Sequence, residues 1–238
     1  MNHSRHDDSG YLPTRRRLLR DVTGAGVGAV GVGLIARGVP MEEADAATPS
    51  CVLSPEVTEG PYYLDLDRIR RDITEGKAGL RLDLRIKVVD ASTCKPIEDV
   101  AVDIWHADAG GTYSGFTAEG TDGRAFLRGV QLTGDDGVAR FRTIYPGWYT
   151  GRAIHIHLKT HVGGRTVHTG QLFFSDRVSD RVARLSPYNA RTGTRTRNSA
   201  DDIYRQAGSG ALLRLRRRRA STLRMGLIGA ITVGIDQS

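Results

Sequence analysis

The stretch Leu82-Asp83-Leu84-Arg85-Ile86-Lys87-Val88 alternates apolar and charged side chains without a break. Successive side chains of a strand point to opposite faces, so the pattern predicts a β-strand. Leu82, Leu84, Ile86 and Val88 belong to a buried face, and Asp83, Arg85 and Lys87 to a wet one. Working outward, residues 100–105, 138–144, 154–160, 167–174 and 227–235 carry similar strand patterns. Turn signals separate them at Gly134-Asp135-Asp136-Gly137, Pro146-Gly147 and Gly163-Gly164. Short strands without alternating helices predict an all-β chain, an antiparallel β-sandwich with minor helix near residues 179–185 and 201–206. No internal repeat is visible.

The start of the chain reads differently. Thr14-Arg15-Arg16-Arg17-Leu18-Leu19-Arg20 precedes an uncharged run rich in Gly, Ala and Val, followed by Ala44-Asp45-Ala46. A basic cluster, a short apolar run and a small-residue cleavage site predict an export signal of the twin-arginine type over residues 1–46. The run is too short and glycine-rich for a stable membrane span. Residues 47–238 are then the working domain, long enough for one well-filled core. The chain's two cysteines, Cys51 and Cys94, both follow the signal. In an oxidising compartment an even pair predicts a disulfide, with free buried thiols as the alternative.

The net charge of +7 is unevenly spread, with twelve arginines against Asp201 and Asp202 in residues 181–224. The run Arg214-Leu215-Arg216-Arg217-Arg218-Arg219 is expected to be a solvated loop, with acidic envelope polymers or anionic aromatic acids as its candidate contacts. Without interleaved aromatics or a nucleic-acid motif, nucleic acid is not an expected partner.

Chemistry concentrates in Tyr145-Pro146-Gly147-Trp148-Tyr149-Thr150-Gly151-Arg152-Ala153-Ile154-His155-Ile156-His157. A His-x-His pair on a strand places both imidazoles on one face, the raw material of a metal site. Upstream stands a second block, Val102-Asp103-Ile104-Trp105-His106-Ala107-Asp108, running on to Tyr113. With two cysteines and no Cys-x-x-Cys, zinc-ribbon and iron–sulfur readings are weak. No acidic residue stands at a suggestive spacing for a two-His-one-carboxylate site.

These blocks, with Thr58-Glu59-Gly60-Pro61-Tyr62-Tyr63 ahead of them, resemble the intradiol ring-cleavage dioxygenases, and the resemblance runs from about Cys51 to Asp236. It implies a β-sandwich with long metal-bearing loops and a non-haem Fe(III) held by Tyr113, Tyr149, His155 and His157. Hard phenolate oxygen suits Fe(III), whose charge favours ionised tyrosine against a free pKa near ~10. The implied reaction opens a catechol-type ring between its two hydroxyls with O2, giving a cis,cis-muconate-type diacid. Tyr149 would take up a substrate proton, Arg152 would stabilise developing negative charge, and Gln171 would be a nearby polar residue.

Other residues keep competing readings. Tyr145 rivals Tyr149, and His106 is expected to pack rather than ligate. His161 and His168 are expected to be exposed or structural, and Trp105 to anchor the core. Tyr62 and Tyr63 either line the substrate mouth or begin the fold. A non-enzymatic β-sandwich module binding a polymer or aromatic ligand is the alternative function, with copper or zinc on the two histidines a further one. The identity of the catechol stays open, as does homo-oligomer formation.

Overall fold

The computed structural model describes Cys51, residues 53–218 and residues 222–236. The expected export segment, residues 1–46, and Arg219 of the basic run lie outside the described residues. The described residues all belong to one unit, Thr48–Ser238. Eight strands build it: β1 Arg81–Asp90, β2 Ala101–Trp105, β3 Arg128–Leu132, β4 Val138–Ile144, β5 His155–Val162, β6 Arg165–Phe173, β7 Arg214–Arg217 and β8 Leu227–Ile235. They form two four-stranded sheets, β4-β1-β8-β7 and β3-β2-β5-β6, here called the A and B sheets. Among the described residues, helix is confined to α1 Asp176–Val182, α2 Asp202–Ala207 and short 3-10 turns. The expected helical stretch at 179–185 therefore begins earlier, and the one at 201–206 is displaced by one residue.

The alternation in β1 is realised as read. Leu82, Leu84, Ile86 and Val88 are buried, and they pack in one core with Val102 and Ile104 of β2, Phe141 of β4, and Ile156 and Leu158 of β5. Full burial of each such side chain contributes about 1.5–3 kcal/mol.

Three features depart from expectation. The A sheet is mixed, because β1 runs parallel to β8 while β1–β4 and β7–β8 are antiparallel. β3 was not legible, because the positions opposite core Ile104 and Val102 are Gly129, where a Cβ would stand 2.7 Å from Ile73 Cγ2, and polar Gln131. The expected solvated loop at Arg214 is instead β7, an edge strand paired with β8 from Arg214↔Ala230 to Arg217↔Leu227. Its charges fit that place, because cations on an edge strand oppose further strand pairing.

Cys51 and Cys94 form a disulfide with a Cα–Cα distance of 5.4 Å. It ties the start of the N-terminal arm to the turn after β1. Farther along, that arm forms an isolated parallel bridge from Leu53 to Gly234 and hydrogen-bonds Val57 N to Thr169 O at 3.1 Å.

Candidate metal centre

The B sheet's register sets the floor of the site. Arg128 of β3 stands opposite Trp105 of β2, Trp105 opposite His157 of β5, and His157 opposite Gln171 of β6. Ile156 and Leu158 enter the core between the sheets, so His155 and His157 leave from the outer face. A separate apolar cluster covers that face: buried Trp105, Ala107 and Tyr113, with Tyr62, Tyr63, Phe116 and Tyr149 against them.

Tyr113 arrives on the loop after β2 and Tyr149 on the loop after β4. Two glycines interlock these loops. A Cβ on Gly147 would meet Ala109 O at 2.4 Å, and one on Gly111, whose φ is +83°, would meet Trp148 O at 2.3 Å. Gly147 N also donates to Asp108 O at 2.9 Å. Asp108 braces its own turn by accepting from Gly110 N at 2.8 Å and Thr112 N at 3.1 Å, and pairs with Lys77 at 2.6 Å. The Pro146-Gly147 turn therefore sets Tyr149 against the Tyr113 loop.

Four donor atoms converge as a result. His155 Nε2 lies 3.0 Å from His157 Nε2 and 3.1 Å from Tyr149 Oη. Tyr113 Oη lies 3.0 Å from His157 Nε2 and 3.5 Å from His155 Nε2. His155 Nδ1 donates to Ala153 O at 2.7 Å, which leaves its Nε2 lone pair for the cluster. His157 is stacked on Trp105 at 4.9 Å between centroids, and Tyr113 on Tyr62 at 4.1 Å.

Burial dominates the electrostatics. It pushes His155 down to about 3, helped by the Arg152 charge, and His157 well below the usual histidine range, helped by His155. It pushes the Tyr113 phenol well above its ordinary value, with Tyr149 adding to the rise. Tyr149 is raised by burial too, against the lowering effects of Tyr113 and Arg152. The protein alone therefore presents four neutral groups.

That donor set fits a hard trivalent cation. The His155 nitrogen is held as a lone-pair donor, neutral His157 can supply a second, and two phenols lie where a cation would favour the phenolate. His157 Nδ1 is buried without a hydrogen-bond partner. Its Nε2 is the nitrogen that faces the cluster, 3.0 Å from His155 Nε2 and from Tyr113 Oη. Among the described residues, no group of three or more His, Cys, Asp or Glu is placed to hold a metal.

Arg152 stands beside this cluster. Its Nε donates to Asp201 Oδ2 at 3.0 Å and one terminal nitrogen to Gln171 Oε1 at 2.5 Å. Gln171 Nε2 in turn donates to Thr58 O at 2.8 Å, so the amide orientation is set at both ends. Asp201 is buried and also accepts from Ala153 N, Ile203 N and Tyr204 N. It thus caps α2 and anchors Arg152 at once. The sequence reading placed Asp201 within a helical stretch and anticipated neither the cap nor its reach to Arg152. Arg128 was also missed: buried, it donates to Tyr62 O at 2.7 Å and Ser114 O at 2.8 Å, clamping the N-terminal arm to the Tyr113 loop.

The competing residues separate cleanly. Tyr145 is buried elsewhere, bonded to Ser179 Oγ at 2.8 Å. His106 packs between Ala107 O at 2.8 Å and Thr143 Oγ1 at 2.7 Å, outside the four-donor cluster. His161 and His168 are buried rather than exposed, His161 lying 3.1 Å from Thr166 Oγ1. Trp105 is both an anchor and the stacking surface beneath His157. Tyr62 covers Tyr113, while Tyr63 tilts against Trp105 with Lys159 Nζ 3.9 Å above its ring. A cleft of about 600 Å3 elsewhere includes Gln171 and His168 in its lining but none of the four donors.

The family model described as Dioxygenase matches residues 54–186, more than half of the chain. A chlorocatechol 1,2-dioxygenase from Cupriavidus pinatubonensis is 33% identical over 140 residues, covering 49% of this chain and 52% of that protein. The chain spans about half the length of such curated relatives. Among solved structures, an intradiol ring-cleavage dioxygenase from Tetranychus urticae is 37% identical with a TM-score of 0.74, covering 78% of this chain and 95% of that one. The dioxygenase domain of a dioxygenase carbohydrate-binding protein fusion from a Streptomyces species is 29% identical with a TM-score of 0.60, covering 78% and 99%. With a model match across strands, loops and both histidines, the chain belongs to the intradiol ring-cleavage dioxygenase family.

Proposed function

We propose that the chain opens catechol-type rings between their two hydroxyls with O2, giving cis,cis-muconate-type diacids, and that Tyr113, Tyr149, His155 and His157 hold a non-haem Fe(III). The observation that carries this reading is the convergence of two imidazole nitrogens and two phenol oxygens on one buried point. The Fe(III), when bound, would supply the charge that favours the phenolates and would activate a catechol-type ring towards oxygen.

The protein's own groups divide the remaining work. Tyr113 is fully buried and stacked under Tyr62, whereas Tyr149 is only partly buried. Tyr149 is therefore the more accessible of the two phenols, and once ionised its Oη would accept a proton from a substrate hydroxyl. Arg152, held by Asp201 and Gln171, keeps a fixed positive charge beside the reacting ring without reorganising. A preorganised donor of this kind typically contributes about 2.7–4 kcal/mol to lowering a barrier. Tyr62 and Tyr63 pack against Tyr113 and Trp105 at the site, and Thr58 O fixes the Gln171 amide.

Residues 47–238 form the catalytic domain in this proposal, and residues 1–46 are a twin-arginine export signal. The Cys51–Cys94 disulfide supports an oxidising compartment. Among the described residues, no helix is long and apolar enough to cross a membrane. The test is product analysis after incubation of iron-loaded protein with catechol and isotopically labelled O2. A muconate-type diacid carrying both labelled atoms is expected. Unchanged catechol bound without turnover would favour the non-enzymatic binding module instead.

A further inference from the structure

The outer face of the A sheet carries a second row in register. Arg140 of β4 stands opposite Arg85 of β1, Arg85 opposite Ala230 of β8, and Ala230 opposite Arg214 of β7. One step along, Lys87 stands opposite Thr232; one step the other way, Ile228 stands opposite Arg216. Neighbouring strands lie about 4.8 Å apart, so the row crosses three such spacings.

Acids answer only part of this charge. Arg140 pairs with Asp136, Arg142 with Asp72, and Arg81 and Arg218 share Asp83. Arg85, Lys87, Arg214 and Arg216 are exposed and have no ion-pair partner among the described residues. Small Ala230 leaves a trough between the cationic positions. A cleft of about 440 Å3 lies there, with Arg85, Lys87, Arg140 and Arg214 against the single acid Asp136 in its lining. Val138, Leu212 and Ala230 add apolar surface to it.

We propose that this face binds a linear acidic polysaccharide, with uronate carboxylates along the chain meeting the Arg85, Lys87 and Arg214 cations. Guanidinium forks match carboxylates. The small apolar patches suit the C–H faces of sugar rings. Single-stranded nucleic acid fits poorly, because it relies on aromatic stacking platforms and the cleft's lining has no aromatic residue. The disulfide also fits an oxidising compartment outside the cytoplasm, where cell-surface polymers are within reach. His155 and His157 leave from the opposite outer face of the sandwich, so a docked polymer leaves the metal centre open.

The experiment measures binding of the disulfide-intact protein to polygalacturonate, neutral dextran and single-stranded DNA at low and at moderate salt. Salt-sensitive binding to polygalacturonate, absent for dextran and stronger than for DNA, is expected. R85Q/R214Q should weaken it roughly tenfold. The charge-matched pair R177Q/R184Q, on exposed residues of α1 and its following turn, should stay within about twofold, as should catechol turnover in every variant. If R85Q/R214Q unfolds, K87Q/R216Q tests the same face from the rows on either side. No binding to polygalacturonate, equal losses in the row pair and the control pair, or preference for DNA would each overturn the proposal.

Discussion

The two outer faces of the sandwich use one device to opposite ends. Each sheet aligns a row of side chains across four strands: Arg128–Trp105–His157–Gln171 on the B sheet, Arg140–Arg85–Ala230–Arg214 on the A sheet. On the B sheet, loops and aromatic rings cover the row, and burial holds the histidines neutral. On the A sheet the cations stay exposed and charged. Strand register supplies the spacing in both cases; covering decides between a buried cluster of neutral donors and a charged platform.

The largest effects should come from the covered row. Tyr113→Phe or His157→Leu removes one of the four converging donors, and both iron content and ring opening should be lost. Metal analysis alongside oxygen uptake checks this; full turnover without iron would break the comparison. Arg152→Leu removes the fixed charge while leaving the donors in place. Turnover should fall about 10²–10³-fold with iron retained, measured under saturating catechol.

Asp201→Asn acts through Arg152 and the α2 cap, and should cost about 10–100-fold in activity. Burial alone would raise the Asp201 pKa, but the Ala153 and Tyr204 N–H groups and Arg152 outweigh it and hold the carboxyl below its usual value. A folded pKa below the unfolded one adds stability that is present above about pH 4 and lost as pH falls through the lowered value. The stability deficit of Asp201→Asn in urea unfolding should therefore shrink on acidification.

How much of this was legible follows from where the signal lies. β1 announced itself because one face is wet and one is dry, and the His-x-His pair because its spacing equals the strand period. β3 and β7 were opaque for physical reasons: Gly129 has no side chain to mark the inward face, and an edge strand of exposed arginines reads like a loop. The four candidate donors were named by resemblance to a family. Their convergence depends on Gly147 and Gly111 letting two loops interlock, a close approach that no local pattern encodes. Arg128 and the reach of Asp201 to Arg152 and Ala153 were hidden because those partners are 14 to 66 and 48 to 49 residues away in the chain.

Smaller effects sharpen the contrast from the scaffold side. Replacing both Cys51 and Cys94 by Ser should lower unfolding stability by about 3–4 kcal/mol on the chain-entropy estimate, with iron binding kept once folded. Arg85→Gln with Lys87→Gln, on the uncovered face, should change stability by no more than about 0.5 kcal/mol and leave turnover unaltered.

The most direct measurement is the visible spectrum of iron-loaded protein before and after anaerobic addition of catechol. A tyrosinate-to-iron band that moves to longer wavelength with substrate is predicted, and it should be lost in Tyr113→Phe. A colourless protein with iron bound would contradict the assignment of Tyr113 and Tyr149 as ligands.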